Sequence, residues 1–211
     1  MTILYGHRGN KETIENTMIA FNNCKYEGIE TDVRLTKDFK IILHHDETLE
    51  RIYNIPKIIN ETTYLEIKSK CNTVVLYRNF LLFCKINKKK CIIDVKEDSY
   101  YNITLIIDYT INICKDINFN INNIIFLCWY DILKPRKNIN FFRAIDGDFI
   151  KKNKIKELKN ELKFDGICLE YTGSNSNEQC INIIKKNNLE LNIYTNKKLK
   201  EIKINADFIT L

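Results

Sequence analysis

The first fifty residues constrain this chain most, because every short apolar run in them ends on groups that can do chemistry. Residues 3–5 read as a buried strand that stops at Gly6-His7-Arg8-Gly9. The glycines let the backbone turn sharply and leave His7 and Arg8 at the strand's exit. Residues 29–35 alternate, so Glu30 and Asp32 share one face of an extended segment while Ile29, Thr31 and Val33 share the other. Two carboxylates two apart on one face repel unless something positive sits between them. A solvated strand face is the plain answer, and a divalent cation with hard oxygen ligands is the economical one. The polar turn at 36–40 and the apolar run at 41–43 then lead to His44-His45-Asp46. A β-hairpin about that turn returns His45 beside Glu30. Two imidazoles and an arginine around a divalent cation suit phosphodiester cleavage: one ring takes a proton from the nucleophile, the other protonates the leaving alkoxide, and cation and arginine neutralise the charge at phosphorus. These residues leave open which ring does which.

The same residues carry a resemblance. Gly-His-Arg-Gly at 6–9, Glu15-Asn16-Thr17 with Ala20-Phe21 close behind, Gly-x-Glu-x-Asp-Val at 28–33, Leu-Thr-Lys-Asp at 35–38 and His-Asp-x-x-Leu-x-Arg at 45–51 resemble, in order, the motifs of the glycerophosphodiester phosphodiesterase family. The resemblance implies a TIM (β/α)8 barrel and a bound Mg²⁺ or Ca²⁺, with Mn²⁺ as a further candidate. It implies His7 and His45 as the catalytic acid–base pair, Arg8 on the substrate phosphate, and Glu30 with Asp32 as metal ligands. Farther along, Asp94-Val95-Lys96 is similar to the family's Glu-x-Lys, which implies Asp94 as the third metal ligand and Lys96 on the phosphate. Aspartate is one methylene shorter than glutamate, and related sphingomyelinase-D-type phospholipases resemble this chain in having it there. The resemblance also puts Glu15 and Asn16 close to the site, where the residues alone say only that they cap and orient a helix. The family's Ser-Phe at the next strand end is Cys128-Trp129 here, and Trp129 either lines the pocket or belongs to the core.

Length and composition bound the reading independently. At 211 residues the chain holds one sizeable core, at the low end of the range for an eight-fold barrel, typically about 250 residues. We expect a single domain spanning 1–211, compact, with a short insertion at about 47–73 after the second barrel strand. The net charge of +6 is spread over most polar segments, a field that welcomes a phosphate-bearing substrate as readily as an anionic membrane or nucleic acid. No nucleic-acid motif and no aromatics interleaved with the basic residues are present, so no nucleic-acid partner is expected. The eight cysteines are scattered without a CxxC and mostly lie in apolar runs, as small buried hydrophobes in a reducing compartment do. With no signal-peptide pattern and no apolar run of membrane-spanning length, the expectation is a cytoplasmic protein, or one acting inside a host cell. The oligomeric state is not legible.

Along the chain, residues 14–26 read as a helix capped by Thr13 with an apolar stripe of Ile14, Met18, Phe21 and Cys24. Further helices are expected at 74–86, 102–117, 149–162 and 177–186. Strands at 3–5, 29–35, 91–96, 124–129, 141–145, 166–170, 191–195 and 207–211 make eight, with the return at 41–45 projecting over the barrel mouth. The favoured activity is metal-dependent hydrolysis of glycerophosphodiesters to glycerol 3-phosphate and an alcohol. The alternatives are phospholipase-D-like cleavage of a lysophospholipid or sphingolipid, and a barrel that binds phosphate without catalysis.

Overall fold

A strand covered on both faces has no solvent side, so it is written as an apolar run rather than as an alternation. Eight such runs form the wall of a closed barrel in a computed structural model that describes residues 2–145, 152–202 and 206–211. They are β1 (Ile3–His7), β2 (Gly28–Leu35), β4 (Lys90–Val95), β5 (Ile124–Cys128), β6 (Asn140–Ile145), β7 (Gly166–Glu170), β8 (Glu190–Tyr194) and β9 (Phe208–Thr210), while β3 (Ile41–Leu43) is the antiparallel return on β2. All eight wall strands pair in parallel, and β1 closes the ring by bonding to both β2 and β9. The helices are α1 (Met18–Asn22), α2 (Glu50–Tyr53), α3 (Tyr64–Lys70), α4 (Tyr77–Ile86), α5 (Tyr100–Ile117), α6 (Lys152–Asn160) and α7 (Asn175–Lys186).

The period of two along each strand sorts its side chains into two cores. Ile29, Val33, Ile93, Val95, Phe126 and Leu191 point outward and pack beneath the helices. Tyr5, Ile92, Ile125, Leu127, Phe142, Ala144 and Cys168 point inward and fill the lumen. The same alternation turns Glu30, Asp32 and Asp94 inward, at the end of the lumen where the strands finish. This is the C-terminal rim, on which barrels of this kind build their sites.

Several element boundaries differ from the sequence expectation, each for a local reason. The first helix is only Met18–Asn22. Asn16 adopts φ of 57°, which no helix can include, so Thr17 rather than Thr13 becomes the cap and accepts from the Ala20 N–H. Ile14 is consequently not part of the apolar stripe and lies exposed. The helix expected from 74 begins at Tyr77, and the one expected from 102 begins at Tyr100 behind a Ser99 cap. The helix expected at 177 begins at Asn175, behind a Ser174 cap. The expected start of the helix at 149 lies outside the described residues, and its described part is Lys152–Asn160. The insertion after the second strand is more than a polar loop. It holds α2, a 3₁₀ turn at Ile59–Glu61 and α3, which close over a separate small core of Ile42, Leu49, Ile59, Ile67, Cys71 and Val74. All eight cysteines are buried and none is in a disulfide. Among the described residues, no helix is long and apolar enough to cross a membrane.

One close approach secures the start of the wall. A Cβ at Gly28 would lie 2.3 Å from the ring of Tyr5, which is itself buried in the lumen. Gly28→Ala should therefore destabilise the fold by about 1–3 kcal/mol through overpacking. A urea transition is the measurement, and a midpoint equal to that of the wild type would mean that Tyr5 yields freely.

Candidate active site

Strand register brings the polar groups together. His7 is opposite Glu30 across β1 and β2, and Asp32 is opposite Asp94 across β2 and β4. One oxygen from each of Glu30, Asp32 and Asp94 lies within 4.8 Å of the other two, and all three residues are buried. The β2–β3 hairpin folds back as its sequence requires, with the His44 N–H donating to the Asp32 carbonyl. The result is a cavity of about 230 Å³ lined by His7, Arg8, Glu30, His45, Asp94 and Lys96 together with Leu127, Trp129, Cys168, Asn192, Tyr194 and Thr210.

Burying three carboxylates needs compensation, and two cations supply part of it. Lys96 Nζ is 2.5 Å from Asp94 Oδ2 and 3.3 Å from Asp32 Oδ1. Arg8 pairs with Asp32 through Nε at 3.1 Å and donates to Glu15 Oε1 at 2.9 Å. The Arg8 backbone N–H donates to Glu30 Oε2 at 3.0 Å, an alignment obtained by holding Arg8 at φ of 57°. A non-glycine residue in that region carries a strain of about 1–3 kcal/mol. Asn16, also left-handed, donates to Asp32 Oδ2 at 2.8 Å and accepts from Thr31 Oγ1 at 2.7 Å. Glu15 and Asn16 thus hold the arginine and the aspartate that the strands deliver.

The compensation is incomplete. Burial, reinforced by the charges of Asp32 and Asp94, pushes Glu30 well above the ordinary carboxylate range. Burial also raises Asp94 despite Lys96. For Asp32, burial is outweighed by Lys96 and Arg8, which hold its carboxyl low. Asp32 Oδ1 makes no hydrogen bond although it is buried. A hard, closely spaced, all-oxygen donor set with a surplus of negative charge and an unused acceptor fits a divalent cation. The ligand candidates expected from sequence, Glu30, Asp32 and Asp94, are the residues that meet here.

The two imidazoles of the cavity have different surroundings. His7, with Nε2 3.8 Å from Glu30 Oε2, is pushed down to about 4 by burial and then by the Arg8 charge, so its ring is neutral at pH 7. His45 Nδ1 is 2.7 Å from Asp46 Oδ1; a carboxylate only accepts, so the proton is on Nδ1 and Nε2 is left for other work. His44 belongs to the scaffold: it is buried, donates from Nε2 to the Thr48 carbonyl at 2.9 Å and stacks on Tyr53.

Sequence reasoning gave no role to Asp46, Arg51, Asn192, Tyr194 or Thr210. Arg51 joins the two halves of the site, donating through Nε to Asp46 at 2.5 Å and through Nη2 to Glu15 at 2.6 Å. The signal for Asp46 and Arg51 was in the His-Asp-x-x-Leu-x-Arg run. The signal for Asn192, Tyr194 and Thr210 was only their inward parity on late strands. Trp129, read as pocket or core, is in the pocket wall and donates from Nε1 to both Asp94 oxygens at 3.0 Å.

For Asp46, hydrogen bonds from Arg51 and His45 outweigh burial and hold the carboxyl at about 2. A carboxyl depressed on folding adds stability that is present above its unfolded pKa and is lost as pH falls through the folded one. In Arg51→Ala, Asp46 should titrate higher than in the wild type but short of the ordinary value of about 3.9, because the His45 bond remains, followed by carbon NMR of the labelled side chain. A carboxyl still near 2 would mean that His45 alone sets it.

Comparisons with known proteins converge on one family. The profile of the glycerophosphoryl diester phosphodiesterase family matches residues 7–164. A glycerophosphodiester phosphodiesterase of Bacillus altitudinis is 44% identical over 72 residues, a stretch that makes up 32% of this chain and 29% of that protein. Among solved structures, a glycerophosphodiester phosphodiesterase from Thermotoga maritima superposes with a TM-score of 0.79 at 22% identity, covering 100% of this chain and 94% of its own. A phosphodiesterase from Oleispira antarctica, solved with the product sn-glycerol-3-phosphate, superposes with a TM-score of 0.81 at 16% identity, covering 100% and 92%. At these identities the superpositions bear on the fold, which is the TIM barrel expected from the sequence.

Proposed function

The chain belongs to the glycerophosphoryl diester phosphodiesterase family, and from that premise we propose that it hydrolyses glycerophosphodiesters to glycerol 3-phosphate and an alcohol with the help of one divalent cation. The observation that carries this reading is the convergence of His7 and His45 on one cavity with Arg8, Lys96 and three buried carboxylates. Glu30, Asp32 and Asp94 would hold the cation, which when bound supplies positive charge to the phosphate oxygens.

The rest of the chemistry belongs to the chain. The neutral His7 ring accepts the proton of the attacking hydroxyl as the new oxygen–phosphorus bond forms, either from water, which gives glycerol 3-phosphate directly, or from the glycerol 2-position, which gives a cyclic phosphate that a water then opens at the 2-oxygen. Arg8 and Lys96 neutralise the charge that grows on the phosphoryl oxygens. The bond to the alcohol oxygen breaks, and that oxygen takes the Nε2 proton of a doubly protonated His45 ring, which keeps its Nδ1 proton on Asp46. His7 therefore acts as base and His45 as acid. Residues 1–211 act as one catalytic unit in this reading, and buried cysteines outside any disulfide support a reducing, cytoplasmic setting.

Glycerophosphocholine and lysophosphatidylcholine, offered side by side with and without chelator, test the reaction by phosphorus NMR. Glycerol 3-phosphate should form from the first and cease with chelator. Turnover of the lipid alone to a cyclic or phosphatidic-type product would replace this reading with the phospholipase-D-like one, and inertness toward both would favour a phosphate-binding barrel.

His7→Ala and His45→Ala should each lower kcat by about 10²–10⁴ with circular dichroism unchanged. Near-native turnover in His45→Ala would sink the assignment. Since His7 loses its proton at about 4, kcat/KM measured with the cation saturating should hold between pH 7 and 5 and fall on approaching 4, and an acid limb above 5 under those conditions would remove His7 from the role of base.

A further inference from the structure

The metal-ligand reading of Glu30, Asp32 and Asp94 leaves open which cation the centre takes, and the donors around those carboxylates bear on it. One oxygen of each is already committed to the protein. Glu30 Oε2 accepts from the Arg8 N–H and Asp32 Oδ2 from Asn16. Asp94 Oδ2 accepts from Lys96. Asp94 is held further: the Trp129 indole N–H lies 3.0 Å from both of its oxygens, so neither is free of a protein donor.

Trp129 is fixed in turn. Its ring has Lys96 Nζ 5.3 Å from the centroid and meets Tyr194 in a T-shaped arrangement with ring centroids 6.5 Å apart. It also packs against the lumen core. Indole, ammonium and aspartate therefore form one unit in which Trp129 cannot swing away without losing the cation–π contact as well.

We propose that Trp129 is a positioning residue that restricts Asp94 to single-oxygen coordination, and that the centre for this reason selects a small six-coordinate cation of the Mg²⁺ class over Ca²⁺. The inference rests on the metal-ligand reading above. Ca²⁺ takes six to eight oxygens and uses bidentate carboxylates readily, whereas Mg²⁺ accepts one oxygen from each of a few carboxylates and keeps waters for the remainder. A carboxylate with one oxygen under a lysine and both under an indole N–H is poorly placed to chelate. An aromatic at this position without an N–H would leave Asp94 freer to turn.

The test is isothermal titration calorimetry of wild type and Trp129→Phe with MgCl₂ and with CaCl₂, neither requiring turnover. Wild type should bind Mg²⁺ more tightly than Ca²⁺. Trp129→Phe should weaken Mg²⁺ by about tenfold, the lower range for loss of a group that orients a metal ligand, with a smaller loss for Ca²⁺. An unchanged Mg²⁺ to Ca²⁺ ratio in Trp129→Phe overturns the proposal while leaving the metal-ligand reading intact. Absence of cation binding in wild type overturns both.

Should Trp129→Phe fail to fold, the wild type itself provides the second measurement. Trp129 is the sole tryptophan of the chain, so its emission reports on Asp94 directly. Titration with Mg²⁺ should shift that emission, and Asp94→Asn should abolish the response. Emission indifferent to a cation that calorimetry shows to bind would separate Trp129 from the centre and refute its role.

Discussion

Three carboxylates buried at one end of a barrel are the constraint on which the rest of this structure depends. An isolated buried carboxylate would simply take up a proton. Glu30, Asp32 and Asp94 instead gather two cations and a set of aligned N–H donors around themselves. Much of the irregular backbone near the site is explained by this demand. Arg8 and Asn16 occupy the left-handed region so that one backbone N–H and one side-chain amide reach Glu30 and Asp32. The first helix is short because those residues are spent on the site before it can begin.

A second tier of charge ties the loops to this centre. From His45 the contacts run through Asp46 and Arg51 to Glu15, and from Glu15 to Arg8 and on to Asp32. Exposed ion pairs stabilise a fold little on their own. Their effect here is geometric: the return from β3 and the turn after β1, far apart in sequence, are held at one spacing across the cavity. The small core under the insertion makes the same contribution with apolar groups, since Leu49 lies in it while the neighbouring Asp46 and Arg51 reach the site. Binding groups carried on strand ends and braced from behind in this way need little reorganisation when a substrate enters.

The sequence by itself determined the strands and the identity of the polar residues at their ends, and its resemblance to one family implied the barrel. That information is local: doubly buried strands are apolar runs, and parity alone sends Glu30, Asp32 and Asp94 to the same side as Ile92 and Leu127. The hairpin that returns His45 was legible for the same reason, because its turn lies between two apolar segments. The tertiary structure decided what parity cannot reach. Thr13 looks like a helix cap and Ile14 like the start of a stripe until Asn16 is drawn across to Thr31 and Asp32, a contact between segments no local period connects. The apolar residues at 47–73 are too sparse to show a period, and only the fold shows that Leu49, Ile59, Ile67 and Cys71 meet. Trp129 was undecided between pocket and core because its neighbours lie on other strands. Its indole found Asp94 only once β4 and β5 were laid side by side, since a strand's own sequence states which side a residue faces and not what waits there.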